Sequence, residues 1–108
     1  MTKSYLTGAC DDGCPIKKTA QIIEGKWTTL IIRELLAGEK RYSELQKTLT
    51  GISPKVLAVR LRHLEDNDLI SRTVYPTVPP STEYALTELG QKLEAVLAAM
   101  ALFGAELN

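Results

Sequence analysis

The chain has 108 residues, enough for one compact domain that buries a core but is only marginally stable without a partner. Hydrophobic residues make up 44% and charged residues 24%, which excludes disordered and fibrous classes. Thirteen Lys and Arg balance thirteen Asp and Glu, so net charge gives no support to a nucleic-acid partner, and two cysteines with one histidine exclude a disulfide framework and a four-ligand zinc set.

Residues 1–13 read as a polar leader, and 14–108 as a single folded domain. Cys14-Pro15 opens a first helix, because proline is tolerated at the first helical position; Ile16, Ala20 and Ile23 form its apolar stripe and Gly25 is expected to close it. A second helix is expected over Lys26–Ala37, where Trp27, Leu30, Ile31, Glu34 and Leu35 recur at helical spacing and Gly38 supplies the stop. Ser43-x-x-Gln46 has the form of a capping box, which predicts a short helix of about Glu44–Leu49. Gly51-Ile52 then turns the chain. Ser53 offers an N-cap and Pro54 a first position for a helix reaching about Asn67. Two short helices around a tight glycine turn, the second longer and basic, outline a helix-turn-helix.

Leu69–Tyr75 alternates β-branched and polar residues and reads as a strand, and the pattern resumes over Thr82–Leu86. Pro76, Pro79 and Pro80 between them forbid ladder pairing, so the segment is a hairpin with a stiff tip, placed where a wing belongs. Thr87 caps a long final helix in which Leu89, Leu93, Val96, Leu97, Met100 and Leu107 recur at helical spacing. The expected class is α+β, mostly helical: a winged helix-turn-helix with a two-stranded wing and a long C-terminal dimerisation helix. No apolar run approaches the roughly 18 to 20 residues of a membrane span. The leader also lacks the hydrophobic core of a signal peptide, which points to the cytosol.

Charge distribution says more than net charge. Between Leu45 and Leu64 stand Lys47, Lys55, Arg60 and Arg62 with no acidic residue, whereas Glu65–Leu86 holds Glu65, Asp66, Asp68 and Glu83 against Arg72 alone. At 100° per residue Leu57, Leu61 and Leu64 fall in one narrow arc and pack inward. The opposite face then presents Lys55, Ala58, Val59 and Arg62, with Ser53 and Pro54 at its start. Cations among small side chains suit close approach in a major groove: Lys55 and Arg62 are leading candidates for guanine O6 and N7, and Ser53 for a phosphate. Ser43, beside Lys40 and Arg41, is a second phosphate candidate by the same reasoning.

Cys14-Pro15-Ile16, Gly25-Lys26-Trp27, Arg41-Tyr42-Ser43-Glu44-Leu45, Gly51-Ile52-Ser53, Leu61-Arg62-His63-Leu64-Glu65, Leu69-Ile70, Val74-Tyr75-Pro76-x-x-Pro79-Pro80, Glu83-Tyr84-x-Leu86-Thr87 and Gly90 form a set of segments. Together they resemble the HxlR-type regulators, winged helix-turn-helix relatives of the MarR group. The likeness covers nearly all of the chain after the leader. It implies a homodimer built from the N-terminal and last helices, with Leu89, Leu93, Val96, Leu97, Met100 and Phe103 at the interface. It also implies recognition helices in successive major grooves of an operator duplex, and wings on flanking minor groove or backbone, where Arg72, Pro76 and Thr77 are the candidates. Asn67-Asp68 departs from the family, which commonly has a glycine near that turn.

Several members of that family sense oxidants or electrophiles through a cysteine just before the first helix, and Cys14 stands in the matching place. A thiolate there is favoured by backbone N–H groups, the helix dipole, Lys17 and Lys18, and opposed by Asp11 and Asp12. Cys10, outside the motif, is a resolving thiol for Cys14, a partner across the dimer, or incidental. An enzyme is not expected, since His63, flanked by Arg62 and Leu64, has no nucleophile or second base in its pattern, and no cofactor or metal is implied. The competing reading is a winged-helix module that binds protein in place of DNA.

Overall fold

The computed structural model describes residues 13–107; Cys10 and the leader through residue 12 lie outside the described residues. The elements run α1 (Pro15–Ile22), α2 (Lys26–Leu36), β1 (Lys40–Arg41), α3 (Tyr42–Thr48), α4 (Pro54–Asp66), β2 (Ile70–Tyr75), β3 (Ser81–Leu86), α5 (Glu88–Gln91) and α6 (Leu93–Gly104). This is a winged helix-turn-helix whose core gathers Ile31, Ile32 and Leu35 of α2, Leu45 of α3, Leu57, Leu61 and Leu64 of α4, Leu69, Ile70 and Tyr84. Each of these three helices contributes residues from the side that faces the core.

The wing is an antiparallel hairpin in the register Ile70↔Leu86 to Tyr75↔Ser81. It has the two strands expected from sequence, and its sheet gains one more that the sequence reading did not include. Lys40 and Arg41 pair with Tyr84 and Glu83 as a third strand, so the sheet order is β1-β3-β2 and β3 is central. A two-residue strand is too short to show alternation, which is why the pattern left it unread.

That pairing moves the start of α3. Arg41, held extended by its ladder partner (φ −78°, ψ 154°), is the N-cap in place of Ser43, and its N–H donates to Glu44 Oε1 at 2.8 Å. The Ser43–Gln46 capping box is therefore not formed; Ser43 lies within the first turn and Gln46 is left for another task. Gly25 also changes role. The first helix ends at Ile22, and Gly25, at φ 87°, is the N-cap of α2 instead of the stop of α1. His63 Nε2 lies 2.9 Å from the Ile22 carbonyl oxygen, which joins the end of α1 to the back of α4.

The final helix starts where expected, with Thr87 Oγ1 accepting the Gly90 N–H at 3.1 Å, but it is interrupted after one turn. Lys92 N–H bonds the Leu89 carbonyl at 3.1 Å, a tighter i to i−3 pattern, before α6 begins. Within that first turn the Gly90 backbone presses on the Leu69 carbonyl so closely that a Cβ would overlap it. Thr87 reinforces the junction: its N–H bonds Leu69 O at 3.0 Å and its hydroxyl donates to Asp68 O at 2.6 Å. Asp68 occupies the left-handed region (φ 59°) where a glycine is the usual choice, and so accounts for the departure at Asn67-Asp68 in backbone terms. Leu93, assigned by periodicity to a partner-facing stripe, is 8% exposed and belongs to its own chain's core, with Val96 and Leu97 packed against it.

Gly90→Ala is expected to lower the unfolding free energy by about 1–3 kcal/mol, the usual cost of an overpacked contact. A urea titration checks this: the midpoint falls and the slope stays constant.

Candidate nucleic-acid interface

The outward side of α4 is fixed by what its inward side buries. Leu57, Leu61 and Leu64 are 0%, 2% and 0% exposed, while Lys55, Ala58, Val59 and Arg62 are all exposed. Ser53 caps the helix, its Oγ accepting the Val56 N–H at 3.1 Å. Pro54 contributes no N–H, so the Ser53 hydroxyl proton and the exposed Lys55 ammonium are the side-chain donors at this end available to a phosphate.

Two side chains to which the sequence reading gave other roles or none are tied to backbone at the start of α4. Gln46 Nε2 donates to the Ile52 carbonyl at 2.7 Å, across the turn of the helix-turn-helix. Tyr42 OH donates to the Pro54 carbonyl at 3.1 Å and so ties the start of α3 to the first turn of α4. Their partners are backbone oxygens 6 and 12 residues away. Such pairings leave no periodic trace; only the Tyr42-bearing motif hinted at one of them.

Two grooves gather candidate contact residues. One, of about 600 Å³, lies between the start of α3 and the wing tip and brings together Arg41, Ser43 and Thr77. The other, of about 920 Å³, runs between α4 and β2 and brings together Ala58, Arg62 and Arg72, with Glu65, Asp66 and Asp68 also on its walls. Lys55 and Val59 line neither groove and stand on the open face. Pro76 is exposed at the wing tip, where Thr77 Oγ1 donates to the Pro79 carbonyl at 2.7 Å.

Two of the candidate cations have acidic neighbours. Arg72 Nε is 3.8 Å from Glu65 Oε2, with both side chains about half exposed, an ion pair of small energetic value that nonetheless biases where the guanidinium points. Arg41 acts on Glu83, whose pKa is raised above the ordinary glutamate value. A hydrogen bond shared with Glu39 is the main cause, followed by desolvation and by the Glu39 and Glu44 charges, with Arg41 opposing them.

The other two features sit away from this face. Cys14 is half-buried and is the N-cap residue of α1. Leu89, Met100, Leu102, Phe103 and Leu107 are 44–73% exposed along α5, α6 and the residues after them. No group of metal-binding side chains occurs among the described residues, and no helix there is long and apolar enough to cross a membrane.

The family model for the HxlR-like helix-turn-helix matches residues 22–108. The chain belongs to that family. It is 42% identical to the HTH-type transcriptional regulator sll1512 of Synechocystis over 98% of this chain and 80% of that protein. Among solved structures, a MarR-family transcriptional regulator of Porphyromonas gingivalis W83 superposes with a TM-score of 0.88 at 41% identity, covering 94% of this chain and all of that one. The redox regulator HypR in its oxidised form superposes with a TM-score of 0.80 at 35% identity, covering 88% of this chain and 98% of that one. Family membership places the chain among transcriptional regulators and not among enzymes. It also makes DNA the partner class that the α4 face has to suit.

Because the folded Glu83 carboxyl titrates above its unfolded value, its protonated form is favoured by folding. The associated stability is present in acid and is lost as pH rises through the raised value. Glu83→Gln should therefore gain in melting temperature relative to the parent as pH climbs from 4 to 7, whereas a constant difference would place the carboxylates too far apart to couple.

Proposed function

We propose that this family member is a cytosolic homodimeric repressor that reads an operator with α4 and its wing and releases it when Cys14 is oxidised or alkylated. The observation that carries the DNA reading is the outward face of α4, where Lys55 and Arg62 stand exposed on a helix whose reverse is locked by three buried leucines. Within this reading Lys55 and Arg62 face base edges and Ser53 and Pro54 abut the backbone, while Ala58 and Val59 leave room for close approach. Arg41 and Ser43 bracket a flanking phosphate with Thr77, and Arg72 and Pro76 follow the strand along the wing.

Dimerisation is supported by the composition of α6, which has one charged residue, Glu94, in twelve. A helix that is apolar nearly all round is a buried helix, yet Met100, Leu102 and Phe103 lie open in one chain. A second copy related by a two-fold axis covers the same patch on both subunits and sets two reading helices at a fixed separation. The redox arm is supported by the position of Cys14 at the N-terminus of α1 and by the likeness to HypR.

Duplexes enriched from a random pool by the purified protein provide the test. Arg62→Ala should weaken binding to the enriched duplex by about 1–3 kcal/mol and relax its preference at one position. Parent affinity should fall steeply with salt; a protein that enriches no duplex at low salt is a protein-binding module instead. Treatment with diamide should lower duplex affinity of the parent and leave Cys14→Ser unchanged, and equal behaviour of the two removes the sensing role.

A further inference from the structure

Val59 is the anomaly on the α4 surface. It is 55% exposed, and it is absent from both the buried core and the partly buried side chains packed against it. On a wheel of about 100° per residue it points roughly 165° away from the mean direction of Leu57, Leu61 and Leu64. Lys55 points about 155° away and Arg62 about 135°, so a branched apolar side chain stands farther forward than either cation. Its neighbours along the same face are Lys55 one turn before and Arg62 one turn after, both exposed. β-branched residues are also mediocre helix formers, so local propensity supplies no reason for valine at a solvated site.

From this we infer that Val59 is a specificity-determining residue that reads the 5-methyl group of a thymine in the major groove, resting on the DNA-binding reading above. Thymine is the one base whose major-groove edge presents an apolar group, and a small branched side chain is what fits against it. Lys55 and Arg62 suit the phosphates or guanine edges on either side. The three residues span seven positions, about 10 Å of helix, comparable to three steps of duplex at about 3.4 Å each. The thymine is therefore within one or two base pairs of the position read by Arg62. Ala58, directed to the flank about 95° from the buried leucines, lies beside this line and leaves the methyl contact to Val59.

The experiment uses the intact chain and the duplexes it enriches from a random pool. Each thymine of the enriched site is replaced in turn by deoxyuridine, which removes the methyl group and leaves base pairing unchanged. At one position per half-site, uracil should weaken parent binding about fourfold, the worth of one buried methyl group. Val59→Ala should bind the thymine duplex about as weakly as the parent binds the uracil duplex, and should not distinguish the two. Val59 is exposed, so unchanged unfolding midpoints are expected for the variant. Uracil replacement that is harmless everywhere, or equally harmful to parent and Val59→Ala, overturns the inference while leaving DNA binding standing. Failure to enrich any duplex overturns both.

Discussion

Burial of Leu57, Leu61 and Leu64 is the constraint on which the molecule's outer surface depends. Each buried leucine is worth roughly 1.5–3 kcal/mol relative to exposure, so turning α4 by a single residue would forfeit more than most surface contacts could return. The rotational setting of the helix is consequently not adjustable. Its axial setting comes from different groups, the Gln46 amide on the Ile52 carbonyl and the Tyr42 hydroxyl on the Pro54 carbonyl. Apolar packing decides which side faces outward, and two hydrogen bonds to backbone decide how far along its axis the helix sits.

Electrostatics plays a secondary part. The chain is neutral overall, Arg72 leans toward Glu65, and Arg41 sits near Glu39, Glu44 and Glu83. Long-range attraction to a polyanion is accordingly weak, and the salt dependence of binding comes from local phosphate contacts, not from net charge. Discrimination between sequences then rests on a handful of contacts at base edges, where small side chains matter as much as cations.

The elements legible in the sequence were those whose determinants are local and repeated. The α2 stripe, the leucine arc of α4, the Ser53-Pro54 start and the proline-tipped hairpin all follow from spacing and caps. What escaped was decided across the fold. Ser43-x-x-Gln46 and the actual Arg41–Glu44 cap overlap within six residues, and only the pairing of β1 with β3 chooses between them. Gly90 signals a close backbone approach, but its partner at Leu69 is invisible until α5 is docked. The burial of Leu93 in its own chain was not legible, because a helix with apolar residues on most sides gives no indication of which side meets its own core. For the candidate interface, the exposed residues of α4 were readable from the wheel. Tyr42, Gln46 and Glu65 were not, since their partners are distant carbonyls or a strand residue whose position depends on the completed sheet.

The bond between His63 and the Ile22 carbonyl has a mechanical meaning. α1 contributes no fully buried side chain among the described residues, and it meets the body of the protein through half-buried apolar side chains and this polar link. His63 stands one residue from Arg62 on the same helix, with its ring turned inward while the guanidinium faces out. The helix that bears Cys14 at its start is thus joined at its last residue to the reading helix, beside the outward-facing Arg62.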